Sequence, residues 1–261
     1  MIVSFMTQEE RLLSMQQWLL EVKKITLADV CERYEISRDS ARRDLVKLTQ
    51  IQGIERVRGG AISVPVTGHV TAYRDKPLSL DKQEIGRVAA SLVEPNDFIS
   101  IDTGTTLSAM ACYMKLPATV VTNSIDVLSH LADESDIDVH FVGGKFNAFH
   151  RAMLGATAVA QLAQYQVNKT FIGVCAISES GLSTASEEEA ALKQAMISQA
   201  EKVILVCEIG KFAQQHFFKV CQLEEVDVIV TNQAPPQDMI NIIQSNDIEL
   251  IVTDQLARTK V

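Results

Sequence analysis

No run of about 18 apolar residues, the length a membrane-spanning helix needs, occurs in this chain, and no charged-then-apolar leader opens it. Neither a membrane span nor a secretory signal is expected. Cysteine is scarce: Cys31, Cys112, Cys175, Cys207 and Cys221 are odd in number, scattered, and free of any Cys-x-x-Cys spacing. That excludes a disulfide or zinc framework and suits small buried residues in a reducing cytosol. The histidines (His69, His130, His140, His150, His216) are dispersed without ligand spacing, so no metal is expected. The P-loop pattern G-x-x-x-x-G-K-[ST] and the dinucleotide pattern G-x-G-x-x-G are both missing. Nucleotide hydrolysis and hydride transfer are therefore disfavoured, and no cofactor is expected. There is no internal repeat and no low-complexity tract.

Positive charge is also in deficit overall, with a net charge of -9 over 261 residues, but it is unevenly spread. Residues 1–60 hold ten Lys/Arg and nine Asp/Glu, and residues 61–261 hold fourteen and twenty-four. Within 36–60 six basic residues (Arg38, Arg42, Arg43, Lys47, Arg56, Arg58) outnumber three acidic ones (Asp39, Asp44, Glu55). A small basic segment on an acidic body fits specific recognition of a polyanion, with the acidic remainder turned away from it.

The basic segment reads as a helix pair followed by a hairpin. Leu12, Met15, Leu19 and Val22 recur at helical spacing, as do Leu27, Val30, Cys31 and Tyr34, and then Ala41, Leu45 and Leu48. Thr26 with Asp29 is suited to cap the second helix, and Ser37 the third. Only Glu35-Ile36 separates them, the tight joint of a helix-turn-helix. With Ala41, Leu45 and Leu48 turned to the core, Ser37, Arg38, Asp39, Ser40, Arg42 and Arg43 are left to face outward. The hairpin Ile54-Glu55-Arg56-Val57-Arg58-Gly59-Gly60-Ala61-Ile62 adds Arg56 and Arg58 as a basic wing. Taken alone, an arginine-rich helix face is as well explained by solvation; the wing beside it favours double-stranded DNA. Trp18 reads as a packing residue. Residues 1–62 are thus expected to form a winged helix-turn-helix DNA-binding domain, 63–80 a linker, and 81–261 a second domain.

Beyond residue 80, short apolar runs alternate with helical stretches. The runs are 98–102, 119–123, 139–142, 171–175, 203–207, 226–231 and 248–252; the helices are 81–93, 106–114, 125–133, 156–164, 187–201 and 237–244. Continuous rather than alternating apolar strands imply an α/β domain with a mainly parallel sheet covered on both faces. Such sheets bind ligands beyond the carboxyl ends of their strands. Here those ends read Asp102-Thr103-Gly104-Thr105-Thr106, Thr122-Asn123-Ser124, Gly143-Gly144-Lys145 and Glu208-Ile209-Gly210-Lys211. Any one is most often a turn with a helix cap. Four on one sheet edge point to a small, hydroxylated, anionic ligand, its phosphate held by the Gly/Thr turn and Lys211 and its hydroxyls by Asp102 and Asn123. Glu187-Glu188-Glu189 reads as a favourable helix start, and Lys193 as an i,i+4 partner of Glu189.

These residues resemble the DeoR family of bacterial transcriptional regulators. The matching features are Glu10-Arg11, the recognition helix Ser37-x-x-Ser40-x-Arg42-Arg43-Asp44-Leu45, and the wing Arg56-x-x-Gly59-Gly60. In the second domain they are Lys82-x-x-Ile85-Gly86-x-x-Ala89-Ala90, Asp102-x-Gly104-Thr105-Thr106, Thr122-Asn123-Ser124, Gly143-Gly144, Leu154-Gly155 and Glu189-Ala190-x-x-Lys193. The resemblance implies a ribose-5-phosphate-isomerase-like sensor domain that binds a phosphorylated sugar, and it adds Lys82, Glu189 and Lys193 to the effector site. It further implies a cytoplasmic, nucleoid-associated repressor of carbohydrate genes. One recognition helix spans too few base pairs for genomic specificity, so a homo-oligomer, dimer or tetramer, is expected. Two departures lie near the pocket: Asp-x-Ser-Lys-Phe is here Glu208-Ile209-Gly210-Lys211-Phe212, and Thr-Asp is Thr231-Asn232. The competing reading is a sugar-phosphate isomerase, which would need a glycine-rich loop presenting a catalytic Glu. The corresponding Ile177-Ser178-Glu179-Ser180-Gly181-Leu182 is not glycine-rich.

Overall fold

The computed structural model describes residues 6–22, 24–49, 54–57, 59–63, 73 and 78–253, in two compact units, Met1–His69 and Val70–Val261. Arg58 lies outside the described residues.

The first unit runs α1 (Gln8–Val22), β1 (Lys24–Thr26), α2 (Leu27–Tyr34), α3 (Arg38–Leu48), β2 (Ile54–Val57) and β3 (Gly60–Ser63). Its caps are those expected. Thr26 and Asp29 form a reciprocal capping box on α2, and Ser37 accepts from the Ser40 amide at the start of α3. Glu35, in the left-handed region at φ 50°, ends α2. Met15, Leu19, Ile25, Val30, Tyr34, Ala41, Leu45, Leu48, Ile54 and Ala61 make the core. Val22 does not join it and is 48% exposed, because α1 ends there. Trp18 packs against this core, edge to Tyr34, with the Arg33 guanidinium 4.5 Å from its ring centre.

The wing is three-stranded rather than a hairpin. The short β1 pairs antiparallel with β3, which pairs with β2. A Cβ at Gly60 would sit 2.1 Å from the Ile25 carbonyl oxygen, so this crossing admits only glycine.

Asp44, one of the three acidic residues of the basic segment, is fully buried. Arg11 Nε donates to its Oδ2 at 2.7 Å and Gln8 Nε2 to its Oδ1 at 2.7 Å, which fastens α3 to α1.

The second unit contains α4 (Leu80–Ala90), β4 (Asp97–Ile101), α5 (Thr105–Tyr113), β5 (Ala118–Thr122), α6 (Ile125–Leu131), β6 (Ile137–Phe141), β7 (Lys145–Asn147), β8 (Ala152–Leu154) and α7 (Ala156–Leu162). It continues with β9 (Val167–Ile172), β10 (Ala176–Ser178), β11 (Gly181–Thr184), α8 (Glu187–Ser198), β12 (Ala200–Val206), β13 (Phe218–Cys221), β14 (Val228–Thr231), α9 (Gln237–Ser245) and β15 (Glu249–Val252). Seven strands form one all-parallel sheet in the order β15-β14-β12-β9-β4-β5-β6. Successive strand residues feed two cores: Ile204, Val206, Val228 and Val230 face Ile85, Leu107, Met110 and Val127, while Val203, Leu205 and Ile229 face Leu162, Leu192, Met196 and Ile243. Helices α4–α6 thus cover one face and α7–α9 the other, which is why β4, β5, β12, β14 and β15 read as continuous apolar runs, whereas the edge strand β6 alternates and only the last two residues of β9 fall in the run expected at 171–175. Strands β10, β11 and β13 form a separate antiparallel sheet, and β7 pairs with β8. At three or four residues each, they carry no periodicity that a sequence reading can catch.

Removing one partner of a buried ion pair costs about 3 kcal/mol. Asp44→Ala should therefore quicken hydrogen exchange of the Ala41–Leu48 amides by about two orders of magnitude. Unchanged exchange there would show that the Arg11–Asp44 pair does not hold α3.

Candidate DNA-binding face and effector site

Because Ala41, Asp44, Leu45 and Leu48 point inward, α3 presents Arg38, Asp39, Arg42, Arg43 and Lys47 to solvent, with Ser40 half-buried. Arg43 Nε donates to the Asp39 carbonyl at 3.3 Å, and Arg56 is exposed on β2. With Asp44 buried against Arg11, its charge no longer offsets this face. Two consecutive exposed arginines on a capped helix, beside a three-stranded wing, match the geometry of a major-groove reader.

In the sheet, β4 runs on through α5 to β5 and β6 in one direction, while β9, β12, β14 and β15 extend the other way. The order therefore reverses between β4 and β9, where parallel sheets open a crevice at their carboxyl ends. Ile101 of β4 registers with both Thr122 of β5 and Phe171 of β9, which sets Asp102 beside Asn123.

Asp102 is fully buried. Its Oδ2 accepts from Lys193 Nζ and from the Gly173 amide at 3.2 Å, whereas its Oδ1 has no hydrogen-bond partner. Lys193, 1% exposed, also lies 3.7 Å from Glu189 Oε1. Glu189 in turn accepts from Tyr73 Oη at 2.8 Å on Oε1 and from Thr184 Oγ1 on Oε2, and His150 Nδ1 lies 3.6 Å away. Burial alone would push the Glu189 carboxyl up. The Lys193 ammonium, the His150 ring and the two hydroxyls outweigh it and hold the group at about 2. Burial likewise pulls Lys193 down, but Asp102 and Glu189 together keep it above its ordinary value. Burial, with the nearby Glu189 charge, raises Asp102 despite the opposing pull of Lys193 and a backbone amide. Both groups are thereby raised, and the pair is charged, because the ammonium answers to two carboxylates and Asp102 also accepts an amide.

Other site residues expected from the sequence fall into two groups. Gly104, at φ 146°, opens α5 without a side-chain cap, so the first amides of that helix and the half-buried Thr105 and Thr106 face the crevice mouth. Thr103 is buried and donates to the His150 carbonyl at 2.8 Å. Asn123 donates to the Met153 carbonyl at 3.1 Å, leaving its buried Oδ1 without a partner. Lys211 sits half-buried in a 3-10 turn after β12, with no ion pair among the described residues. By contrast, several hydroxyls, amides and charges are already engaged. Thr122 Oγ1 donates to the Ile101 carbonyl, and Ser124 caps α6. The Gly143 amide donates to Gln161, Gly144 is exposed at φ 144°, and Lys145 is exposed on β7. Lys82 lies 3.6 Å from Glu208.

The two departures share one task. Glu208 Oε1 accepts from Ser79 Oγ at 3.1 Å, and Asn232 Nδ2 donates to Asp81 Oδ2 at 2.9 Å. Both fasten the first turn of α4; an aspartate at 232 would oppose Asp81. Tyr73, His150 and Thr184 were missed by sequence reasoning. Tyr73 stands in a stretch read as linker, and a lone aromatic there was the one available signal. A cleft of about 530 Å³ also opens among Asn96, Phe98, Pro117, Thr119, Ser135 and Asp138, at the opposite edge of the sheet from these residues. Among the described residues, no group of His, Cys, Asp or Glu is placed to hold a metal, and no helix is long and apolar enough to cross a membrane.

Comparison with known proteins gives a match to the DeoR C terminal sensor domain over residues 79–233 and to the DeoR-like helix-turn-helix domain over 11–66. Similar proteins include the HTH-type transcriptional repressor GlcR of Bacillus subtilis, 38% identical over 96% of this chain and 98% of that protein. The HTH-type transcriptional regulator GlpR of Haloferax volcanii is 31% identical over 85% and 88%. The L-fucose operon activator of Haemophilus influenzae is 25% identical over 90% and 96%. Among solved structures, ribose 5-phosphate isomerase A of Methanocaldococcus jannaschii aligns over 51% of this chain and 53% of that one at 14% identity, with a TM-score of 0.38. That likeness is too slight to carry an argument about chemistry.

A carboxyl group held at about 2 against an ordinary 4.5 adds stability above pH 4.5 and loses it as pH falls toward 2. The wild-type sensor should therefore melt higher than Glu189→Gln at neutral pH, with the gap closing across that window. A gap that persists unchanged to pH 2 would show that Glu189 is not held ionised.

Proposed function

The chain belongs to the DeoR family of transcriptional regulators, and from that premise we propose that it is a repressor whose operator affinity is set by a phosphorylated sugar. It is a DNA-binding regulator and not an enzyme. The observation that carries the effector reading is the pair of unpartnered buried acceptors, Asp102 Oδ1 and Asn123 Oδ1, at the reversal point of the sheet. A buried acceptor without a donor is costly, so the site favours a ligand that brings hydroxyl groups. The uncapped amides of α5 and Lys211, which has no ion pair among the described residues, favour an anion on the same ligand. A sugar phosphate supplies both. Arg38, Arg42, Arg43 and Arg56, with Ser37, Asp39 and Ser40, form the operator-reading face; Arg58 lies outside the described residues.

Repression is preferred to activation because the 38% identical relative is named a repressor, and carbohydrate genes are the targets that a sugar phosphate would report on. A dimer or tetramer in the cytoplasm, held on the nucleoid, would read repeated half-sites.

Titration of duplexes selected in vitro tests both halves. Arg42→Ala and Arg43→Ala should each lower the slope of log affinity against log salt by about one. Lys211→Ala should bind the operator as wild type does but lose the response to phosphorylated sugars. Unaltered slopes in both arginine variants would remove α3 from the interface. A Lys211→Ala protein that responds at wild-type concentrations would place the phosphate elsewhere.

A further inference from the structure

We propose that Tyr73 is a latch through which the connector to the DNA-binding unit reads the effector site, an inference that rests on the regulator reading above. Tyr73 lies in the stretch between β3 and α4, yet it is buried at 8% exposure and tied to the sensor at both ends of the residue. Its amide donates to the Phe149 carbonyl at 2.9 Å, and its hydroxyl donates to Glu189 Oε1 at 2.8 Å. Its ring meets His150 edge-on at 5.4 Å.

The oxygen that receives this hydroxyl is also the one 3.7 Å from Lys193 Nζ. Lys193 is at present spent on Asp102 Oδ2. A ligand hydroxyl donating to the unpartnered Asp102 Oδ1 draws on the same carboxylate charge and loosens its hold on Lys193. The ammonium then closes on Glu189 Oε1, where it competes with the weaker neutral donor, the Tyr73 phenol. Effector binding thereby unseats Tyr73 with no contact to it. The start of α4 is independently pinned by Glu208 and Asn232 and keeps its place when Tyr73 leaves. The seated state is the operator-competent one, and losing the hydroxyl imitates the effector.

The test uses the full-length chain without effector. Three proteins are titrated by fluorescence anisotropy against the duplex selected for the wild type: wild type, Tyr73→Phe, and Ser100→Ala. Ser100→Ala removes a buried hydroxyl pair with Thr170 between β4 and β9 and controls for general loss of stability. Tyr73→Phe should bind at least fivefold more weakly and exchange its residue-73 amide at least tenfold faster, while Ser100→Ala stays within twofold of wild type. Wild-type affinity in Tyr73→Phe overturns the latch, whatever its exchange rate. An equal loss in both variants also overturns it, by tracing the effect to stability. If the wild type itself prefers no duplex, the regulator reading fails instead.

Discussion

One ammonium between two carboxylates sets the character of the sensor. Lys193 and Glu189 stand one turn apart on α8, and Asp102 meets them from the end of β4, all three shut away from water. Removing the lysine would strand two buried anions, a change of the class that costs about 3–5 kcal/mol. The surroundings are arranged to supply donors to this acid-rich core: the Gly173 amide, Thr184, Tyr73 and the nearby His150. Even so, donors run short, because Asp102 Oδ1 is left over. A site short of donors in its interior and rich in amides and lysine at its mouth is polarised. That polarity is the basis for proposing a ligand with hydroxyl groups at one end and negative charge at the other.

The DNA-binding unit uses a buried ion pair differently. Arg11 and Asp44 neutralise each other inside, and their effect is to orient α3 so that its remaining charges point outward. An acid between two arginines and a leucine would weaken the phosphate attraction if it were exposed. Turned inward, it strengthens the scaffold and leaves the outer face basic.

Much of this was legible in the residues. Five of the seven parallel strands announced themselves as apolar runs, because burial on both faces removes alternation; of the run expected at 171–175 only Phe171 and Ile172 lie in β9, and the edge strand β6 alternates. Thr26 and Ser37 marked helix starts through their hydroxyls, and Asp102 was placed at a strand end by the polar residues that follow it. What escaped were contacts distant in sequence. Nothing local distinguishes Asp44 from a solvated acid until Arg11 is brought beside it, and nothing local lifts Tyr73 out of a linker until Glu189 is found waiting for its hydroxyl. Strand β1, three residues long, is defined by pairing with β3 and by the glycine that pairing demands at position 60. A hydroxyl at a strand end looks the same in sequence whether it meets a ligand, a backbone carbonyl as Thr122 does, or a backbone amide as Ser124 does.

The central claim is that a phosphorylated sugar, and no other form of the same sugar, controls operator binding. The direct measurement is operator anisotropy of the full-length protein across a panel of sugar phosphates, each paired with its dephosphorylated counterpart. At least one phosphate ester should shift operator affinity at concentrations where its free sugar has no effect. A free sugar that matches its phosphate ester, or a panel in which nothing shifts the affinity, would contradict the account.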